Sequence, residues 1–184
     1  KTYNYFSARQ NFIAAATALK ENIATDNLIK NNWVTITLLD KRIAQCYYKE
    51  NNFNNAIKYY KEAYNSSTGF NEKMEQLSML ALNEYLDNQT DSAKVHFLEV
   101  EKYYNEDKIN YKNSESYYSI DWPLYQYHES EKNTNKAQQY LTDAYNHIPE
   151  NEKTEYREDE KRMDHLHKYY YIYEIIEEYN QHIR

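Results

Sequence analysis

Apolar residues recur at intervals of three and four along most of this chain, and short polar segments interrupt them. The clearest stretch contains Ile43, Ala44 and Tyr47, then polar residues at 49–52, then a second apolar series that begins at Phe53. Intervals of three and four place side chains on one face of a helix. The pattern therefore predicts two amphipathic helices joined by a short turn.

The second helix of this pair carries a small residue, a large residue four positions later and another small residue three positions after that. The same triplet recurs along the chain. The triplets are Ala8, Phe12 and Ala15; Ala56, Tyr60 and Ala63; Ala93, Phe97 and Val100; and Ala137, Leu141 and Ala144. Small residues let two helix backbones approach closely while large ones fill the gaps. The recurrence predicts a chain built from repeated helix pairs.

This pattern of small and aromatic positions resembles the tetratricopeptide repeat, in a divergent form of bacterial type. The resemblance implies an all-α fold, a right-handed superhelix of stacked helix pairs that forms one domain over residues 1–184. Its expected parts are helix B of a partial repeat at 1–22, repeats at 33–66, 73–105 and 119–148, and a long C-terminal capping helix at 150–184. Because the first unit lacks its helix A, we expect the chain to be a fragment of a longer protein.

The chain also departs from the regular repeat. The first alanines of the triplets are 48, 37 and 44 residues apart, whereas the period of the tetratricopeptide repeat is about 34 residues. The extra residues must lie in long helices or loops. We place insertions at 22–32 and 105–119, where Asn, Ser, Lys and Asp interrupt the apolar pattern.

The segment from 150 onward begins with charged residues and continues with an apolar stripe at intervals of three and four. The stripe comprises Met163, Leu166, Tyr169, Tyr170, Tyr173, Ile176 and Tyr179. We expect this stripe to cap the last helix pair. The alternative is a coiled coil that forms a homodimer or connects to another domain.

Composition narrows the function classes. The 184 residues include 1 Gly and 2 Pro, too few for the turns of a many-stranded sheet. The formal net charge of -7 argues against binding to nucleic acid by this fragment. No apolar run approaches the length that a bilayer requires, so we expect no membrane contact by the fragment. The compartment, cytoplasmic or periplasmic, stays open.

Residues with catalytic or metal-binding chemistry are sparse. A single glycine, Gly69, cannot form a glycine-rich phosphate loop. His165 and His167 are two positions apart and would point to different sides of a helix. Cys46 has no histidine nearby in sequence, which favours a packed thiol over a nucleophile. We expect no catalytic site, no cofactor and no metal ion. No ligand role is assigned to the isolated histidines His96, His128 and His147.

The resemblance implies that helix A of each repeat lines a concave groove for a partner. The groove residues carried over in this way are Lys41, Gln45, Tyr48, Ser78, Leu82, Tyr85, Trp122, Gln126 and Glu129. We therefore expect a non-enzymatic interaction module that binds a protein or peptide. The alternative is a sensor or regulatory domain of a bacterial signalling or transcription-regulating protein. An accessory phosphatase has little support, because no candidate side chain stands out.

Overall fold

The computed structural model describes residues 4–23, 35–111, 118–159 and 170–183, and these residues form nine helices and no strand. The helices are α1 Tyr5–Ile23, α2 Ile36–Lys49, α3 Phe53–Ser66, α4 Phe70–Leu86, α5 Thr90–Tyr111, α6 Tyr118–Ser130, α7 Thr134–His147, α8 Glu150–Asp159 and α9 Tyr170–His182. The prediction of an all-α fold is confirmed.

The helices form two compact units, residues 1–96 and residues 97–184. In the first unit α1 packs on α2, α2 on α3 and α3 on α4. In the second unit α6 packs on α7, and α9 contacts α6, α7 and α8. The helices therefore pack mostly in sequential pairs, whereas the expected single domain stays a prediction.

The turns that join α2 to α3, α4 to α5 and α6 to α7 share one backbone geometry. Each contains three residues, and the middle one is left-handed. The left-handed residues are Asn51, Asn88 and Lys132, with φ of 54°, 62° and 58°. In each turn the next backbone N–H returns to the carbonyl five residues earlier. These bonds run from Asn52 to Tyr47 (2.9 Å), from Gln89 to Glu84 (2.8 Å) and from Asn133 to His128 (2.8 Å). This is the Schellman arrangement that ends a helix, here repeated in three hairpins.

The small and large residues of three triplets lie in the core, as their spacing predicts. The buried members are Ala56, Tyr60, Ala63, Ala93, Phe97, Val100, Ala137, Leu141 and Ala144. The first triplet differs, because Ala15 is exposed. In α1 the buried residues are instead Arg9 and Ala16, one position further along. Arg9 is accommodated there because its guanidinium lies 4.2 Å from the ring centre of Tyr47 and forms an ion pair with Glu50.

Part of the expected insertion at 105–119 lies in a long helix, one of the two forms expected for the extra residues. Helix α5 continues to Tyr111, and α6 begins at Tyr118. Residues 112–117 lie outside the described part of the chain, as do residues 24–32 of the other expected insertion, whose first two residues end α1.

The prediction of one long C-terminal helix is not confirmed. Two described helices, α8 and α9, lie in this region and contact each other, and residues 160–169 between them fall outside the described residues, as do the stripe positions among them. Among the residues of α9 whose side chains are described, those that are buried are Ile172, Ile175 and Ile176. Tyr179 stacks on Tyr145 of α7, with ring centres 4.0 Å apart.

Buried carboxylates paired with histidines connect successive helices. Nδ1 of His96 on α5 lies 2.6 Å from Glu84 on α4, and Nδ1 of His147 on α7 lies 2.6 Å from Asp121 on α6. Glu84 and Asp121 are fully buried. Burial raises the pKa of Asp121 to about 6, although its bonds to His147 and Tyr104 act in the opposite direction. The isolated histidines of the sequence therefore serve as structural partners of buried acids.

Candidate functional site

A cleft of about 460 Å³ lies between α6 and α9, within the unit of residues 97–184. Its lining residues are Trp122, Tyr125, Gln126, Glu129, Ser130, Glu174, Glu177, Glu178 and Gln181. On α6 the other lining residues follow Trp122 by three, four, seven and eight positions. On α9 they follow Glu174 by three, four and seven positions. Such spacing places each set on one face of its helix. The cleft is therefore a short groove between two helix faces.

The position of α9 fixes one wall of this cleft. Its buried isoleucines, Ile172, Ile175 and Ile176, lie on the side that packs against the rest of the unit. The stack of Tyr145 on Tyr179 adds an aromatic contact between α7 and α9. Because Glu174, Glu177 and Glu178 alternate with the isoleucines, burial of one face of α9 turns these carboxylates toward the cleft.

Two aromatic residues form the apolar part of the lining. The rings of Trp122 and Tyr125 have centres 5.1 Å apart, and both side chains are largely buried, at 5% and 6% exposure. The indole Nε1 of Trp122 is buried and has no hydrogen-bond partner among the described residues. A buried donor without a partner is uncommon in folded proteins. The indole N–H of Trp122 is therefore an unused donor that is closed off from solvent.

A hydrogen bond across the cleft connects its two helices. The hydroxyl of Tyr125 donates to Oε1 of Glu178 over 2.6 Å, and Nε2 of His182 lies 3.1 Å from the same oxygen. Burial and the neighbouring Glu178 carboxylate raise the pKa of Tyr125 well above its usual value. Tyr125 thus stays a neutral donor at physiological pH.

Three of the nine predicted groove residues line this cleft. Trp122 is buried beneath it, Gln126 is half-buried and Glu129 is exposed. The residues of α9 that complete the lining were missed, because runs of glutamate such as Glu177 and Glu178 usually mark a solvated face. The signal that would have found them is the isoleucine spacing of α9, which assigns the glutamates to the opposite face.

The other predicted groove residues lie on α2 and α4, in the unit of residues 1–96. Lys41, Gln45 and Tyr48 are half-buried on α2. Nζ of Lys41 donates to Oε1 of Glu75 over 2.5 Å, and Oε1 of Gln45 accepts from Arg42 over 3.0 Å. The side chains of Ser78 and Leu82 are buried, at 0% and 1% exposure, and Tyr85 is half-buried. A partner-binding role for these residues stays a prediction.

Other chemistry is limited in the described part of the chain. No group of three or more His, Cys, Asp or Glu side chains there is placed to hold a metal ion. Cys46 is buried, and burial raises the pKa of its thiol. None of the described helices is both long and apolar enough to cross a membrane. Comparison of the chain with protein-family models, curated proteins and solved structures finds no match, so no family is identified.

Proposed function

We propose that this chain is a non-enzymatic, tetratricopeptide-like interaction module that binds a peptide segment of a partner protein in the cleft between α6 and α9. The observation that carries the proposal is the lining of this cleft. Trp122, Gln126 and Glu129, three residues that the repeat pattern assigns to a partner groove, face a cavity large enough for a ligand.

The packing of the helices supports the repeat interpretation. Each of the three hairpins has the same left-handed turn, and buried small residues follow it at the same distance. In the first unit α3 packs against both α2 and α4, and Lys41 of α2 pairs with Glu75 of α4. Contacts of this kind, between a hairpin and the first helix of the next hairpin, are those that stacked repeats require.

In the second unit, a hairpin is likewise covered by a helix that comes later in the chain. Helix α9 contacts both helices of the hairpin α6–α7, and a first helix of a following repeat would occupy such a position. The cleft then lies between helix A of the hairpin α6–α7 and the helix that covers this hairpin, next to residues of α6 that the repeat interpretation assigns to the partner. Aromatic and polar side chains together suit recognition of a peptide.

The length of the cleft matches a short extended peptide. The α6 residues of the lining span about 12 Å along their helix. At about 3.3 Å per residue, this length accommodates three or four extended residues.

A peptide selection tests the proposal. The full chain serves as bait for a displayed library of random eight-residue peptides, and the selected peptides are titrated against Gln126→Trp, which fills the cleft. We expect at least a tenfold loss of affinity in this variant. Lys94→Trp, a matched change at an exposed position of α5 outside the cleft, should bind as the unmodified chain does.

Circular dichroism and thermal melting establish that both variants fold. Trp122 is not a suitable site for the test, because its side chain is buried and its removal is expected to cost several kcal/mol of stability. The proposal is overturned if no peptide is selected, or if folded Gln126→Trp binds the selected peptides as well as Lys94→Trp does.

A further inference from the structure

The cleft between α6 and α9 is negatively charged. Glu129, Glu174, Glu177 and Glu178 contribute carboxylates, and none of the nine described residues that line it is a lysine or arginine. Among the described residues, the imidazole of His182 lies 3.1 Å from Glu178. Several like charges around one groove repel each other and raise the local concentration of cationic ligands.

These carboxylates are distributed along the groove. Glu129 lies on α6, and the other three lie within little more than one turn of α9. No three acidic, histidine or cysteine side chains of the described chain converge closely enough to hold a metal ion. A ligand with positive charges spread over several residues matches such a distribution better than a single divalent cation.

The apolar lining favours the same ligand. The side chains of Lys and Arg have long apolar stems that lie along aromatic rings while the charged end stays in a polar environment. Trp122 and Tyr125 supply only the small part of each ring that is not buried, at 5% and 6% exposure, beside the carboxylates.

We propose that the partner segment is basic, an extended stretch of three or four residues that carries Lys or Arg. The basic side chain lies along the cleft, and its cation lies between Glu129 and Glu177. This inference rests on the proposed function, since it specifies the peptide that the cleft accepts.

The library selection described above also gives the direct test. The sequences selected on the full chain should be enriched in Lys and Arg. A synthetic copy of a selected peptide should lose at least tenfold in affinity when each Lys and Arg is replaced by Gln. Its affinity should also fall by about tenfold between 0.05 and 0.5 M NaCl, because salt screens the attraction.

A charge-neutralised pair of variants localises the effect. Glu129 and Glu177 are both exposed in the cleft, so Glu129→Gln with Glu177→Gln should leave the fold intact and weaken binding three- to tenfold. The matched control, Glu106→Gln with Glu150→Gln, removes two exposed carboxylates of the same unit outside the cleft. It should bind like the unmodified chain.

The outcomes separate this inference from the proposed function. Peptides that lose affinity in Gln126→Trp but show no enrichment in Lys or Arg would overturn the inference and leave the binding site in place. Equal binding by the two glutamine double variants would also overturn it. Failure to select any peptide, or no effect of Gln126→Trp, would overturn the proposed function, and the inference with it.

Discussion

Nε2 of His128 on α6 lies 2.9 Å from Oε1 of Glu101 on α5. The same oxygen accepts from Nζ of Lys136 over 2.8 Å and from the hydroxyl of Tyr140 over 2.9 Å, both on α7. One buried carboxylate oxygen therefore joins three helices of the second unit. Burial alone would raise the pKa of Glu101, but the bonds from His128, Lys136 and Tyr140 outweigh it and lower the pKa to about 2.

The low pKa of Glu101 predicts that the folded chain becomes less stable in acid. The carboxylate is more acidic in the folded state, so its stabilisation is complete above about pH 4.5 and disappears as the pH falls toward about 2. The difference between the ordinary pKa and the pKa in the folded chain corresponds to up to about 3 kcal/mol of folding free energy. Urea unfolding at pH 7, 5 and 3 should show a weaker pH dependence for Glu101→Gln. Glu106→Gln, at an exposed position of the same helix, should keep the dependence of the unmodified chain; identical profiles for the two variants would refute this assignment.

The buried alanines predict which positions tolerate larger side chains. Ala56 is completely buried, so Ala56→Leu should overpack the contact between helices and destabilise the chain by roughly 1–3 kcal/mol. Thermal melting measures the effect. Ala15→Leu provides the control, because Ala15 is exposed. This substitution should change the free energy of unfolding by no more than about 0.5 kcal/mol. Equal melting temperatures for both variants would contradict the packing of α3.

The turn between α6 and α7 predicts a stabilising substitution. Lys132 has a φ of 58°, a conformation that glycine adopts at lower cost than a residue with a Cβ atom. Lys132→Gly should therefore increase the free energy of unfolding by about 0.5–1 kcal/mol in urea titrations. Lys132→Ala also removes the lysine side chain but keeps the Cβ atom, so it should give no such gain. A gain from alanine that equals the gain from glycine would point to lysine charge as the cause.

The environment of Cys46 predicts slow chemical modification. Its side chain is buried, and burial raises the pKa of the thiol, so little reactive thiolate is accessible. At pH 8, Cys46 should react with Ellman's reagent only to the extent that urea unfolds the chain. A chain that carries Cys46→Ala and Ala15→Cys should react quickly without urea. Fast reaction of the native Cys46 would mean that α2 does not bury this side chain.

Much of the fold could be predicted from local pattern. The short turn at 49–52 and the buried triplets that start at Ala56, Ala93 and Ala137 were predicted from spacing, because helical geometry fixes which residues share a face. The register of α1 could not be predicted in this way. Ala15 and Ala16 have equal size and lie side by side, and only the contacts with α2 determine which of them is buried.

The candidate site was predictable only on the α6 side. Trp122, Gln126 and Glu129 followed from the repeat resemblance, whereas Glu174 and Glu177 enter the cleft because of how α9 packs on α6 and α7. The buried Glu84 gave no local signal either. Its partners His96 and Lys61 stabilise it from neighbouring helices, His96 at 2.6 Å and Lys61 at 3.3 Å.

Photo-crosslinking of a selected peptide to the full chain tests the central claim most directly. A peptide with a benzophenone group in place of one residue is irradiated in the complex, and the modified residues are identified by mass spectrometry. The account predicts that the modified residues lie in 122–130 and 174–181, the two walls of the cleft, and that Gln126→Trp abolishes the modification. Crosslinks concentrated on helices outside these two segments would contradict it.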